Sequence, residues 1–90
     1  DVSARKLNFK DHIDVRGLRA AEALEEVRDF IDDAIMVGVG TVTILHGKGT
    51  GALKEEIRRY LRTVPEVERA ADEHADRGGA GITVVTLRMD

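Results

Sequence analysis

Residues 41–51 read Thr41-Val42-Thr43-Ile44-Leu45-His46-Gly47-Lys48-Gly49-Thr50-Gly51. The first six are β-branched or apolar up to a terminal histidine, which predicts a buried strand over 41–46. A loop with three glycines follows. It opens a helix over roughly Ala52 to Thr63, with Leu53, Ile57, Tyr60, Leu61 and Val64 on one side and Pro65 as its stop. Upstream, Ala23, Leu24, Val27, Phe30, Ile31, Ala34 and Ile35 recur at three- and four-residue spacings, predicting a helix from about Ala20. Gly38 suits the left-handed position after its end. Ile13 to Val15 give a short strand signal that stops at Arg16-Gly17. Residues 1–12 read as a lead-in that packs through Leu7 and Phe9. Downstream, Val67 to Ala71 suit a short third strand, residues 72–81 form a polar, glycine-rich loop, and Ile82 to Leu87 form a strong strand.

The order is therefore β-α-β-α-β-β. A strand-helix-strand unit gives a parallel pair, and the last two strands form a hairpin around the 72–81 loop. The expected fold is α/β (α+β): a two-layer sandwich with a mixed four-stranded sheet and both helices on one face. The other sheet face is left partly open, or covered by the lead-in or a partner. The domain proper is expected over 13–90.

Composition narrows the function. A chain of 90 residues holds one core. It is 42% hydrophobic and 34% charged, a globular balance, and its net charge of -3 rules out a polycation-like binder. It has no cysteine, which excludes a thiolate nucleophile, a disulfide scaffold and a Cys-containing metal knuckle. Its aromatics are Phe9, Phe30 and Tyr60, too few to favour reading single strands by base stacking. No apolar run suits a membrane span and no secretory or lipidation signal is present, so no membrane partner and a cytoplasmic location are expected. The chain starts at Asp1 rather than Met, as a piece of a longer protein would.

Charge is unevenly placed. Residues 18–37 hold six acidic side chains against Arg19 and Arg28, whereas residues 46–63 hold Lys48, Lys54, Arg58, Arg59 and Arg62 against Glu55 and Glu56. Solvated faces on each helix explain this, as does a single polyanion-facing edge around the second helix.

The glycine loop suits such an edge. Glycines turn backbone N–H groups toward a ligand, the helix N-terminus adds free donors, and Lys48 adds a full charge. Thr50 either caps the helix or bonds a phosphate oxygen. The spacing is neither that of a Walker loop nor G-x-G-x-x-G, which argues against a nucleoside triphosphate or dinucleotide site. His46 is either a core histidine bonded to backbone or a general acid or base beside the cradle. Asp14 and Arg16 end the first strand, parallel to the His46 strand, so both strand ends point to one place. Asp14 either takes part in chemistry there or bonds local backbone, Arg16 or Arg19. Arg16 cannot act as a base but can clamp a phosphate.

These residues resemble the Smr (small MutS-related) domain family from Ile13 to Leu87. Ile13-Asp14-Val15-Arg16-Gly17 resembles its L-D-L-H-G signature, and His46-Gly47-Lys48-Gly49 matches its H-G-x-G signature. Gly78-Gly79-Ala80-Gly81-Ile82-Thr83-Val84 resembles its glycine-rich approach to the final strand. The resemblance implies a two-layer sandwich and nucleic-acid binding, with endonuclease activity on DNA or RNA in many members. It places the site at Asp14, lined by His46, Gly47, Lys48 and Gly49. Arg16 stands where the commoner signature has His, which is similar to Smr domains fused to the C-terminus of bacterial MutS-type ATPases. Such an attached ATPase, recombination control and rescue of stalled ribosomes, with the ribosome as a partner, follow as implications.

Two functions are thus expected in competition. One is a phosphodiester endonuclease with Asp14, His46 and Arg16 as the catalytic set. Gly47, Lys48, Gly49, Thr50, Gly51, Lys54 and Arg19 form its phosphate-binding set. One Mg²⁺ ion or none is expected, because only Asp14 is a motif-placed carboxylate. The other is a non-catalytic module that docks branched DNA, RNA or the ribosome. An interaction domain using the open sheet face is a third, simpler alternative. His12 and His74 read as surface residues, and Met36 and Met89 as packing or terminal residues.

Overall fold

The computed structural model describes residues 8–89. The elements run β1 (His12–Asp14), α1 (Ala20–Val37), β2 (Thr41–Leu45), α2 (Ala52–Leu61), β3 (Val67–Asp72) and β4 (Ile82–Leu87). Two single 3₁₀ turns, Ala75–Arg77 and Gly79–Gly81, lie between β3 and β4. The sheet order is β1-β2-β4-β3. β1 and β2 are parallel, and β4 is antiparallel to both of its neighbours. The mixed sheet of the sequence reading is therefore present, with the β3–β4 hairpin closing around 73–81, since Asp72, expected in the loop, still pairs with Thr83 as the last residue of β3.

Alternation in the strands decides the layers. Val42 and Ile44 of β2, with Thr83, Val85 and Leu87 of β4, are buried on one sheet face. Ala23, Val27, Phe30, Ile31 and Ala34 of α1 and Ile57 and Leu61 of α2 complete that core. Each large aliphatic side chain so buried contributes about 1.5–3 kcal/mol. On the opposite face Thr43, Leu45, Ile82, Val84 and Thr86 are only half-buried, so that face is partly open.

Local chemistry sets the boundaries. At the end of α1, Gly38 adopts φ 83°, and its N–H bonds the carbonyls of Ala34 and Ile35. The N–H of Val39 also reaches the Ala34 carbonyl, at 3.1 Å, so the last turn keeps its acceptors satisfied. α2 ends at Leu61, two residues short of the expected Thr63, which instead donates its hydroxyl to the Tyr60 carbonyl at 2.7 Å. β1 lies one residue earlier than expected: Val15 still donates its N–H to the Leu45 carbonyl but turns into the core, where it is fully buried.

Phe9 of the lead-in stacks on Phe30, with ring centroids 5.7 Å apart. Leu7 lies outside the described residues. The acidic and basic helices meet where the Arg28 guanidinium sits 5.2 Å from the centre of the Tyr60 ring. Among the described residues no helix is long and apolar enough to cross a membrane.

Candidate functional site

The sheet brings the three signature segments to one end. Asp14 pairs in register with Leu45, and Leu45 with Ile82. The carboxyl ends of β1 and β2 therefore lie beside the amino end of β4, with Asp72 of β3 opposite Thr83. The Gly81 carbonyl accepts N–H groups from both His46 and Gly47, at 3.1 and 3.0 Å, tying the segment before β4 to the loop after β2.

The loop alternates glycines in the left-handed region, with φ of 79° at Gly47, 44° at Gly49 and 87° at Gly51. Side chains rarely tolerate this conformation, which is why glycine recurs at every second position. Gly51 is the N-cap of α2. The Thr50 hydroxyl accepts the Ala52 N–H at a long 3.4 Å, so it caps weakly and remains exposed. The first-turn amides of α2 have no acceptor within the helix. A cleft of about 310 Å³ opens over this turn, lined by the loop from His46 to Gly51 together with Leu18, Ala20, Ala52, Leu53 and Glu56. The exposed Lys48 is on its wall.

Asp14 and Arg16 flank the cleft rather than line it. The Arg16 stem lies against Gly47, within 3.6 Å of where a Cβ there would stand. Asp14 accepts the Arg16 N–H and Nε–H at 3.0 Å each and Nη2–H at 2.8 Å. This side-chain pairing, reinforced by the backbone bond, holds the carboxyl of the exposed Asp14 down to about 2. Nε and Nη2 face Asp14, so Nη1 is left to meet another anion.

His46 is 6% exposed. Its Nδ1 bonds the Gly47 carbonyl at 2.8 Å and its Nε2 bonds the Thr83 hydroxyl at 2.7 Å. Burial pushes its pKa down, the Gly47 carbonyl opposes that, and Lys54 and Arg58 add to the depression. Lys54 is committed elsewhere in the site: its Nζ pairs with Asp72 at 2.7 Å. Arg19 is the exposed N-cap residue of α1, next to Ala20 of the cleft wall. The structure thus gathers Arg16, Lys48 and the loop at one opening, with Asp14 held through Arg16. It sets Lys54 against β3 and His46 beneath the loop.

Sequence reasoning missed Thr83, Arg58 and Asp72. Arg58 donates Nη2–H to Asp72 at 2.6 Å, and Nε–H and Nη2–H to the Thr83 hydroxyl at 3.3 and 3.2 Å. A signal existed for Thr83 alone: a hydroxyl at an inward position of a strand whose other inward residues are Val85 and Leu87. The pairing of Arg58 with Asp72 depends on strand order, which no local pattern reveals. Among the described residues no group of three or more His, Asp or Glu is set to hold a metal ion. The donor set does not fit a multi-carboxylate metal centre.

Fold and site together define a class: small two-layer α+β domains with a glycine-loop cleft at the carboxyl ends of a parallel strand pair. Residues 13–88 match the Smr domain family, and the chain belongs to that family. It is 46% identical over 81 residues to endonuclease MutS2 of Halalkalibacterium halodurans, covering 90% of this chain and 10% of that protein. It is 50% identical over 76 residues to endonuclease MutS2 of Thermus thermophilus, covering 84% and 10%. The chain thus spans about a tenth of the length of these relatives. The crystal structure of the Smr domain of Thermus thermophilus MutS2 superposes with a TM-score of 0.84 at 48% identity, covering 88% of this chain and 99% of that one. YdaL, a stand-alone small MutS-related protein from Escherichia coli, shares the fold with a TM-score of 0.82 at 24% identity, covering 97% and 74%.

Proposed function

We propose that this domain grips the sugar-phosphate backbone of DNA or RNA at the glycine-loop cleft and cleaves a phosphodiester bond there. The observation that carries the reading is the convergence of Lys48, the first-turn amides of α2 and the paired Arg16 at one sheet end. The identity to proteins named endonuclease MutS2 supports it. In this reading the chain works as part of a larger MutS-like ATPase in the cytoplasm.

Lys48, the loop amides and Arg16 hold the scissile phosphate and stabilise the charge that builds on its oxygens. Water, or the 2′-hydroxyl on RNA, attacks phosphorus and loses its proton, while the P–O bond to the departing sugar oxygen breaks and that oxygen takes a proton from solvent. Asp14 is the better acceptor for that proton, because its carboxylate is exposed whereas His46 is buried with both ring nitrogens bonded. At about 2, Asp14 is a weak base while Arg16 holds it. A phosphate that draws the guanidinium toward itself raises the basicity of Asp14.

A second reading, docking without cleavage, is favoured by the same pairing, since both carboxylate oxygens of Asp14 are already taken. It covers branched DNA, RNA and the ribosome as partners, including roles in recombination or ribosome rescue. End-labelled single-stranded RNA and supercoiled plasmid, each incubated with Mg²⁺ or with chelator, separate the two. Cleavage by the wild type that disappears in Asp14→Ala supports the nuclease and reports its metal requirement. Intact substrates with a salt-sensitive gel shift support docking. Intact substrates with no shift overturn both.

A further inference from the structure

The bonds around His46 carry information about hydrogen positions. A carbonyl only accepts, so the Nδ1 that meets the Gly47 carbonyl at 2.8 Å carries a proton. A neutral ring then presents Nε2 as an acceptor, and the Thr83 hydroxyl donates to it across 2.7 Å. Arg58 reinforces this direction. Its Nε–H and Nη2–H both point at the Thr83 oxygen, occupying its lone pairs and leaving its hydrogen for His46. Asp72 fixes Arg58 in turn, at 2.6 Å, while also holding Lys54 at 2.7 Å. The chain of bonds runs from β3 through α2 and β4 to the end of β2, and finishes on the loop carbonyl of Gly47.

We propose that Asp72, Arg58 and Thr83 are positioning residues that lock His46 as a neutral imidazole protonated on Nδ1, so that His46 holds the glycine loop in shape instead of exchanging protons with substrate. A protonated ring would donate from both nitrogens. Thr83 would then receive Nε2–H and the Arg58 donors together, and its own hydrogen would lose its acceptor. The charged groups acting on the ring are Lys54 and Arg58 from α2 and Asp72 from β3. The two cations outnumber the one carboxylate, which further disfavours an imidazolium. The benefit to phosphate binding rests on the reading above, but the lock itself does not.

Ring ¹⁵N–¹H correlation spectra of the domain test it. The wild type is expected to show Nδ1 protonated and Nε2 bare from about pH 5 to about pH 8, the span over which an ordinary histidine changes charge. Thr83→Val removes the hydroxyl at nearly constant shape. It is expected to produce a mixture of tautomers and about tenfold faster hydrogen exchange at the loop amides. Thr83→Ser keeps the wild-type pattern, and Arg58→Lys, which leaves the core untouched, weakens the tautomer preference. A wild-type ring that protonates near its ordinary value, or a Thr83→Val ring identical to wild type, overturns the lock. Inorganic phosphate is titrated in parallel. Loop shifts absent in a correctly locked wild type count against the phosphate cradle and leave the lock standing.

Discussion

Asp14 shows how far one neighbour can move a side chain that water still reaches. Its carboxyl sits at about 2 instead of 3.8, chiefly through the Arg16 side chain. A depressed carboxyl stabilises the fold fully above its unfolded value and loses that contribution as pH falls through the folded one. The pair is therefore expected to be complete at pH 4 and above on this scale and to open only as pH approaches about 2. A side-chain ¹³C titration of Asp14 checks this, and a midpoint near 3.8 would show that the pair does not persist in solution. Gly47 makes a second expectation at the same scale. Its φ of 79° makes Gly47→Ala cost about 1–3 kcal/mol of stability, measured by urea unfolding. The open space around Gly49 means that Gly49→Ala suffers from backbone strain alone.

Among the elements, α1 carries the largest share of the core. Ile31 is fully buried between helix and sheet, so Ile31→Ala is expected to cost about 2–5 kcal/mol, read as a lower denaturant midpoint. Much of this level was legible in the sequence. The stripe from Ala23 to Ala34 shows its helix by period, and Ile82 to Leu87 shows its strand by composition, because burial of one face forces those patterns. Pro65 and Gly38 mark ends for steric reasons that need no tertiary context. β1 was displaced by one residue because Ile13, Asp14 and Val15 alternate too briefly to fix a register. The site was legible where it depends on chain chemistry, as at the glycine loop and Asp14-Arg16. It was illegible where it depends on strand order: Asp72 reaches Arg58 and Lys54 only because β3 pairs outside β4.

At the scale of the whole molecule, charge is sorted rather than scarce. The net charge of -3 conceals an acidic α1 and a basic α2, and Asp72 already neutralises part of the α2 row through Lys54 and Arg58. Lys48 has no such carboxylate among the described residues and stands exposed beside the cleft. Nucleic-acid affinity is expected to fall with salt, and Lys48→Ala to reduce the log–log slope by about 1. A variant with unchanged affinity and slope would remove Lys48 from the binding surface. The acidic helix sets an orientation: a polyanion approaching from the α1 side meets repulsion before it meets the loop.

The position of β4 has a consequence for synthesis. The last strand of the domain in chain order is an inner strand of the sheet, between β2 and β3. While the chain is still emerging, β2 lacks its antiparallel neighbour and β3 has nothing to pair with. Every strand pairing that joins the β1–β2 pair to β3 waits for residues 82–87. Closure of the sheet is thereby delayed until residues 82–87 have been made. A product interrupted before Ile82 keeps two amphipathic helices with only the β1–β2 pair to cover them, and is expected to be cut by protease more readily than the complete domain.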